Sequence, residues 1–152
     1  MRLGYLSATV LAVAFMVPAI HSTTLPAAAP QQSILDGVYT DDQAIRGENL
    51  VYSAGCERCH GGGLAGGNED TAALVGEDFY ASWVGRTVGD LFHQVGDMPP
   101  DNSATINSRG HADLVAFLLW LNLYPSGDRE LQPDRRILDQ IEIVRPDLVT
   151  VY

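Results

Sequence analysis

The only two cysteines of this 152-residue chain lie in Cys56-Glu57-Arg58-Cys59-His60, with a histidine directly after the second and three glycines beyond it. Two thiols and an imidazole gathered so tightly restrict what the chain can fold around. Cys-x-x-Cys-His is the attachment signature of c-type haem, in which the two sulfurs add to the porphyrin vinyl groups and the adjacent imidazole is left facing the iron. A chain attached in this way must wrap a large apolar disc, and with no further cysteines it can attach only one.

Other uses of a cysteine pair fit less well. An oxidising compartment could close Cys56 and Cys59 into a disulfide. A thioredoxin-like redox pair needs a βαβ context, and no run of β-branched residues precedes the pair. Structural zinc takes four ligands, for which the sequence has neither a second Cys pair nor a His-x-x-x-His.

The N-terminal segment leads to the expectation that this chemistry lies outside the cytoplasm. Arg2 is followed by an uncharged apolar run to Ile20 and then by the small-residue segment HSTTLPAAAP. That is the layout of a secretory signal peptide, expected over residues 1–29 with cleavage somewhere between Ser22 and Ala29. Pro18 interrupts the run and argues against its retention as a membrane anchor, so contact with a membrane is expected only if the leader stays uncleaved. The periplasm is the expected location. All nine basic residues are arginine against nineteen Asp and Glu, a net charge of −10. Nucleic acid and anionic lipid are poor partners for such a chain. A basic, neutral or chiefly apolar protein face suits it better.

Haem iron held by His60 needs its other axial position explained. Beyond the leader Met98 is the only methionine, in Gly96-Asp-Met-Pro-Pro100, where two prolines are expected to hold the chain extended and direct the thioether. His93, near a helix end, and His111, in the first turn of a later helix, are the competing ligands. Met98 is preferred, because a methionine between aspartate and two prolines belongs to a loop, where core filler is seldom needed. His/Met ligation leaves iron with no open position and favours its reduced state, the properties of an electron carrier. The alternative is a haem enzyme, or a sensor of gas or peroxide, in which Met98 is displaced.

Helical signals dominate the remainder, and an all-α fold is expected. Thr40-Asp-Asp-Gln43 reads as a capping box opening a helix to about Ser53, with Ala44, Ile45, Val51 and Tyr52 available to pack and Gly47 allowing close helix approach. The glycines at 61, 62, 63, 66 and 67 read as a flexible loop. Further helices are expected from Thr87 to Val95 and from Ser108 to Leu123, the latter capped by Asn107 or Ser108, apolar all round in LVAFLLWL and therefore buried on more than one side. Residues 126–152 lose periodicity and read as a polar extension packed on the domain of residues 30–125, with a short helix near Asp134 to Gln140.

Taken together, GVYTDDQAIRGENLVYSAGCERCHGG, ALVGEDFYASWVGRTVGDLF, MPPDN, HADLVAFLLWLN and YPSGDRELQPD resemble the small monohaem class I cytochrome c modules that stand alone in bacterial periplasms or partner quinoprotein (PQQ) dehydrogenases. The resemblance covers residues 36 to 143. It implies the small cytochrome c fold, helices wrapped around one covalent haem c, with thioethers from Cys56 and Cys59 and axial ligands His60 and Met98. It further implies an electron carrier and not an enzyme, a monomer or complex subunit, exchanging electrons with redox proteins such as a quinoprotein dehydrogenase and a terminal oxidase. In one place the chain departs from the family. Ala72 stands where a proline carbonyl usually accepts a hydrogen bond from the proximal imidazole, a bond that an alanine carbonyl can also accept. Trp83 and Arg86 are candidates to bond a haem propionate, with packing and surface roles as the alternative.

Overall fold

The computed structural model describes residues 32–67, 71–100 and 105–146. The expected leader, residues 1–29, therefore lies outside the described residues. All regular structure among those described is helical, without strands. Six α-helices follow one another: α1 (Asp41–Ala54), α2 (Glu57–His60), α3 (Gly76–Trp83), α4 (Val88–Gly96), α5 (Ser108–Leu121) and α6 (Arg135–Leu138). None of the described helices is long and apolar enough to cross a membrane.

The three long helices start where the sequence supplies side-chain caps. The Thr40 hydroxyl accepts from the Gln43 amide, Asn107 Oδ1 accepts from the Gly110 amide, and Thr87 and Asp90 complete a reciprocal capping box. At α1 the box expected from Gln43 is only half formed. Its side chain turns inward instead, donating to the Leu131 carbonyl at 3.0 Å and accepting from the Leu131 amide at 2.7 Å. Helix α3 is absent from the sequence reading because it opens at Gly76 after Val75 without any side-chain cap.

Helices α1 and α5 form the main packed pair. A Cβ at Gly47 would lie 2.0 Å from the Asp113 carbonyl, so only glycine lets the two backbones approach this closely. On α1 the buried side is Gln43, Ala44, Gly47 and Val51, whereas Ile45 and Tyr52, expected to pack, are exposed. From Ala112 to Leu119 every residue of α5 is buried, in keeping with its apolar circumference. Asp113 within that run is neutralised by Arg46, which forks onto it at 3.0 and 3.2 Å and also reaches Glu130 at 2.8 Å.

The C-terminal extension is no polar strap. Leu131, Leu138, Ile141 and Ile143 are buried in the same core as the helices. Backbone bonds from Gly85 to the Ile143 carbonyl and from Ile143 to the Arg86 carbonyl hold the segment against the α3–α4 turn. Arg145 adds a bidentate pair to Glu77, both bonds 2.8 Å.

Candidate functional site

Helix α1 ends because Gly55 adopts φ +71°, a left-handed C-cap that turns the chain directly into α2. The Cys56 amide still bonds the Val51 carbonyl at 3.0 Å, and the His60 amide bonds the Cys56 carbonyl at 3.0 Å. One helical turn thus brings Cys56, Cys59 and His60 to a common face, the positions three and four residues on from the first. The glycine loop that follows folds tightly on itself. A Cβ at Gly67 would lie 1.9 Å from the Cys59 carbonyl and one at Gly61 2.2 Å from the Gly66 carbonyl. These glycines serve close backbone approach, which the expectation of a merely flexible loop had not included.

That face borders a cavity of about 520 Å³, walled by Val51 and Ala54 from α1, Leu114 and Leu118 from α5, Val95 from α4, and by Leu64, Leu74 and Ile106. Cys56, Cys59, His60 and Met98 all line it. The size lies within the roughly 300–1,000 Å³ of small-molecule and cofactor pockets. Its lining side chains are apolar apart from Arg58 and the His60 ring, and no carboxylate borders it among the described residues. The wall is in turn fixed from behind. Buried Asn122 donates to the carbonyls of Leu74 and Leu118 at 2.9 and 2.8 Å and accepts from the Gly76 amide at 2.8 Å.

The His60 ring is oriented by its own neighbour. Nδ1 lies 3.2 Å from the Ala72 carbonyl. A carbonyl can only accept, so Nδ1 carries the proton and Nε2 keeps its lone pair for a ligand. Alanine thus makes the bond that a proline carbonyl would have made.

The three candidates for the second axial position separate clearly. Met98, 40% exposed, lines the cavity, its amide bonded to the Val95 carbonyl at 3.2 Å. The chain does not run extended here but turns at Pro99 and Pro100. His93 is exposed beside the Asp97 carboxylate at 3.3 Å, and His111 stands edge-to-face on Phe92 with ring centroids 6.1 Å apart. Neither borders the cavity. Burial pushes the His111 pKa below its ordinary value.

Trp83 and Arg86 do not line the cavity either. Trp83 is buried beside Phe79, and the Arg86 guanidinium lies 4.5 Å over its ring, so the pair serves packing. Arg58 is the cavity residue the sequence reading passed over. Its position between the two cysteines was the available signal.

The state of the thiols bears on the competing chemistries. Both cysteines are free, Cys59 exposed and Cys56 partly buried. Burial pushes the Cys56 thiol up, the reverse of the lowered pKa that activates the attacking cysteine of a redox pair. Among the described residues no group of three His, Cys, Asp or Glu side chains gathers to hold a metal ion. The donors present are two thiols, one imidazole with Nε2 available and one thioether around an apolar space, a set that fits a covalently attached haem. No protein-family model, curated protein or solved structure matches the chain.

Proposed function

We propose that the chain is a periplasmic monohaem c-type cytochrome of the small class I kind, carrying single electrons between redox proteins. The observation that carries the reading is the convergence of Cys56, Cys59, His60 and Met98 on one apolar cavity. Cys56 and Cys59 would hold the haem by thioethers, and the His60 nitrogen and Met98 sulfur would bind its iron. Bound haem c supplies a one-electron iron couple, which His/Met ligation shifts toward the reduced state. The chain's own work is to keep water from the apolar wall, to fix the His60 ring through Ala72, and to hold Met98 at the mouth. A quinoprotein dehydrogenase as donor and a terminal oxidase as acceptor are the partners proposed.

A haem stain and optical spectrum of periplasmic protein, coexpressed with the haem-attachment machinery, test this directly. Covalent haem with a weak sulfur-to-iron band in the ferric state is the expected result. Met98→Ala should keep the haem attached, abolish that band, lower the reduction potential and admit carbon monoxide to the ferrous protein. His93→Ala and His111→Ala should do none of these. Absence of covalent haem would refute the proposal, and ready carbon monoxide binding by the unmutated protein would favour the enzyme or sensor reading.

A further inference from the structure

We infer that Arg58 makes the mouth of this cavity a docking site for a redox partner whose face is apolar around a carboxylate, an inference that rests on the electron-carrier reading above. With a net charge of −10 the chain as a whole would draw basic partners. The mouth has the opposite character. Among the described residues Arg58 is the only charged one on the cavity lining, and the exposed residues that share this lining, Cys59, Met98 and Pro100, carry no charge.

The guanidinium is held in place before any partner arrives. Its Nε donates to the Gly55 carbonyl at 3.3 Å and its Nη2 to the Ala54 carbonyl at 3.4 Å. Those carbonyls end α1, where a cation is favoured by the helix dipole. A Cβ at Gly55 would meet the guanidinium at 2.5 Å, so the glycine lets it lie close against the chain. Two of its five N–H groups are thereby used, and Nη1 has no hydrogen bond among the described residues. No carboxylate of the described residues pairs with it, unlike Arg46, Arg86, Arg135, Arg136 and Arg145. Glu57, the neighbouring acid in the sequence, accepts from the Gly63 amide instead. A preorganised guanidinium fork with free donors matches a carboxylate better than any other common protein group.

The placement has a direct consequence for exchange. With a haem held by Cys56 and Cys59, Arg58 between them would stand beside the attachment points and act on what approaches there.

Small inorganic oxidants of opposite charge test the local field. After haem content has been verified, the reduced holoprotein is oxidised by hexacyanoferrate(III) and, separately, by tris(phenanthroline)cobalt(III). In each case one electron leaves the protein and reduces the complex, with no bond made or broken. Arg58→Gln should slow the anionic oxidant about threefold at 0.15 M salt, and more at lower salt, while speeding the cationic one. Arg58→Lys should restore both rates, and Arg86→Gln should alter neither. Independently of any rate, hexacyanochromate(III) should broaden the Arg58 Nε–H resonance of the reduced protein before other arginine signals. Equal slowing of both oxidants in Arg58→Gln, or no change in either, would overturn the inference while leaving the carrier reading intact. A protein without covalent haem would overturn both.

Discussion

Around Tyr39, Tyr124 and Leu131 the chain completes its own interior. The Tyr39 hydroxyl donates to the Tyr124 carbonyl at 2.6 Å, the Tyr80 hydroxyl to the Asn122 carbonyl at 2.8 Å, and the Tyr124 hydroxyl to the Val144 carbonyl at 2.9 Å. Burial pushes the Tyr124 pKa up to about 12, so these hydroxyls stay protonated donors. Around Cys56 and Met98, by contrast, aliphatic side chains from α1, α4 and α5 face a space of about 520 Å³. Close-packed interiors leave few voids larger than a water molecule. The first region is closed by its own side chains, and on the reading proposed above the second is the wall of a haem site. On that reading one small domain draws its stability from two sources, and each source can be removed separately.

Removing the cofactor's attachment is the harshest way to break this contrast. In Cys56→Ala together with Cys59→Ala, covalent haem should be lost and the apolar wall left facing water. The apo chain should be largely unfolded, since α1, α4 and α5 lose the surface they share. Far-ultraviolet circular dichroism measures the outcome. Native helix content without haem would mean that the wall supports itself, and the contrast between the two regions would collapse.

A smaller but still large effect is expected where the regions meet, at the α1–α5 crossing. Gly47→Val places a side chain where a Cβ already lies 2.0 Å from the Asp113 carbonyl, so the helices must separate. Overpacking of this kind costs about 3 kcal/mol, which lowers Tm by on the order of 10 °C in a domain of this size. An unchanged melting curve would show that the crossing does not hold the fold together.

Within the finished core, Gln43→Ala strands the amide and carbonyl of Leu131, each now served by one side chain. Unpaired buried groups of this sort cost about 2 kcal/mol in total. Asn49→Ala, which removes an exposed bond to the Ile45 carbonyl on the same helix, serves as control and should cost a few tenths of that. Comparable losses in chemical denaturation would argue that the tail is laid on the domain and not built into it.

How much of this was legible in the sequence follows from where the signals are local. Thr40, Thr87 and Asn107 announce α1, α4 and α5 because a cap acts within three residues. The Cys-x-x-Cys-His run announces its own face because one helical turn defines it, and Met98 stood out as the one methionine after Met16. What stayed hidden depends on distant partners. Leu131, Leu138, Ile141 and Ile143 are buried in the common core with no repeat of their own, so they passed for a polar extension. Ile45 and Tyr52 are as apolar as their buried neighbours, yet the rotation of α1 that puts Gly47 against Asp113 turns them outward. Trp83 and Arg86 offered the right donors for a propionate but pack on each other, while Arg58 reached the cavity unnoticed inside the motif.

The smallest expected effect sharpens the contrast on the wall's outer side, at His111. Its ring packs on Phe92 and near Gly96, and burial alone holds its pKa below the ordinary 6.5. A folded-state pKa beneath the unfolded one means that the unfolded chain takes up the proton first. The stability held at neutral pH is complete above 6.5, declines as pH falls below that value, and is fully lost once pH passes below the folded pKa. Carboxylates such as Asp90, whose pKa is lowered by the Thr87 amide and hydroxyl, enter only in the range below their ordinary 3.8. His111→Gln should therefore flatten the decline between neutral pH and pH 5 without changing the steeper acid limb. Denaturant midpoints across that range, compared between the two proteins, give the answer. Parallel curves would place the titrating group elsewhere and leave His111 as a packing residue whose charge state the fold does not sense.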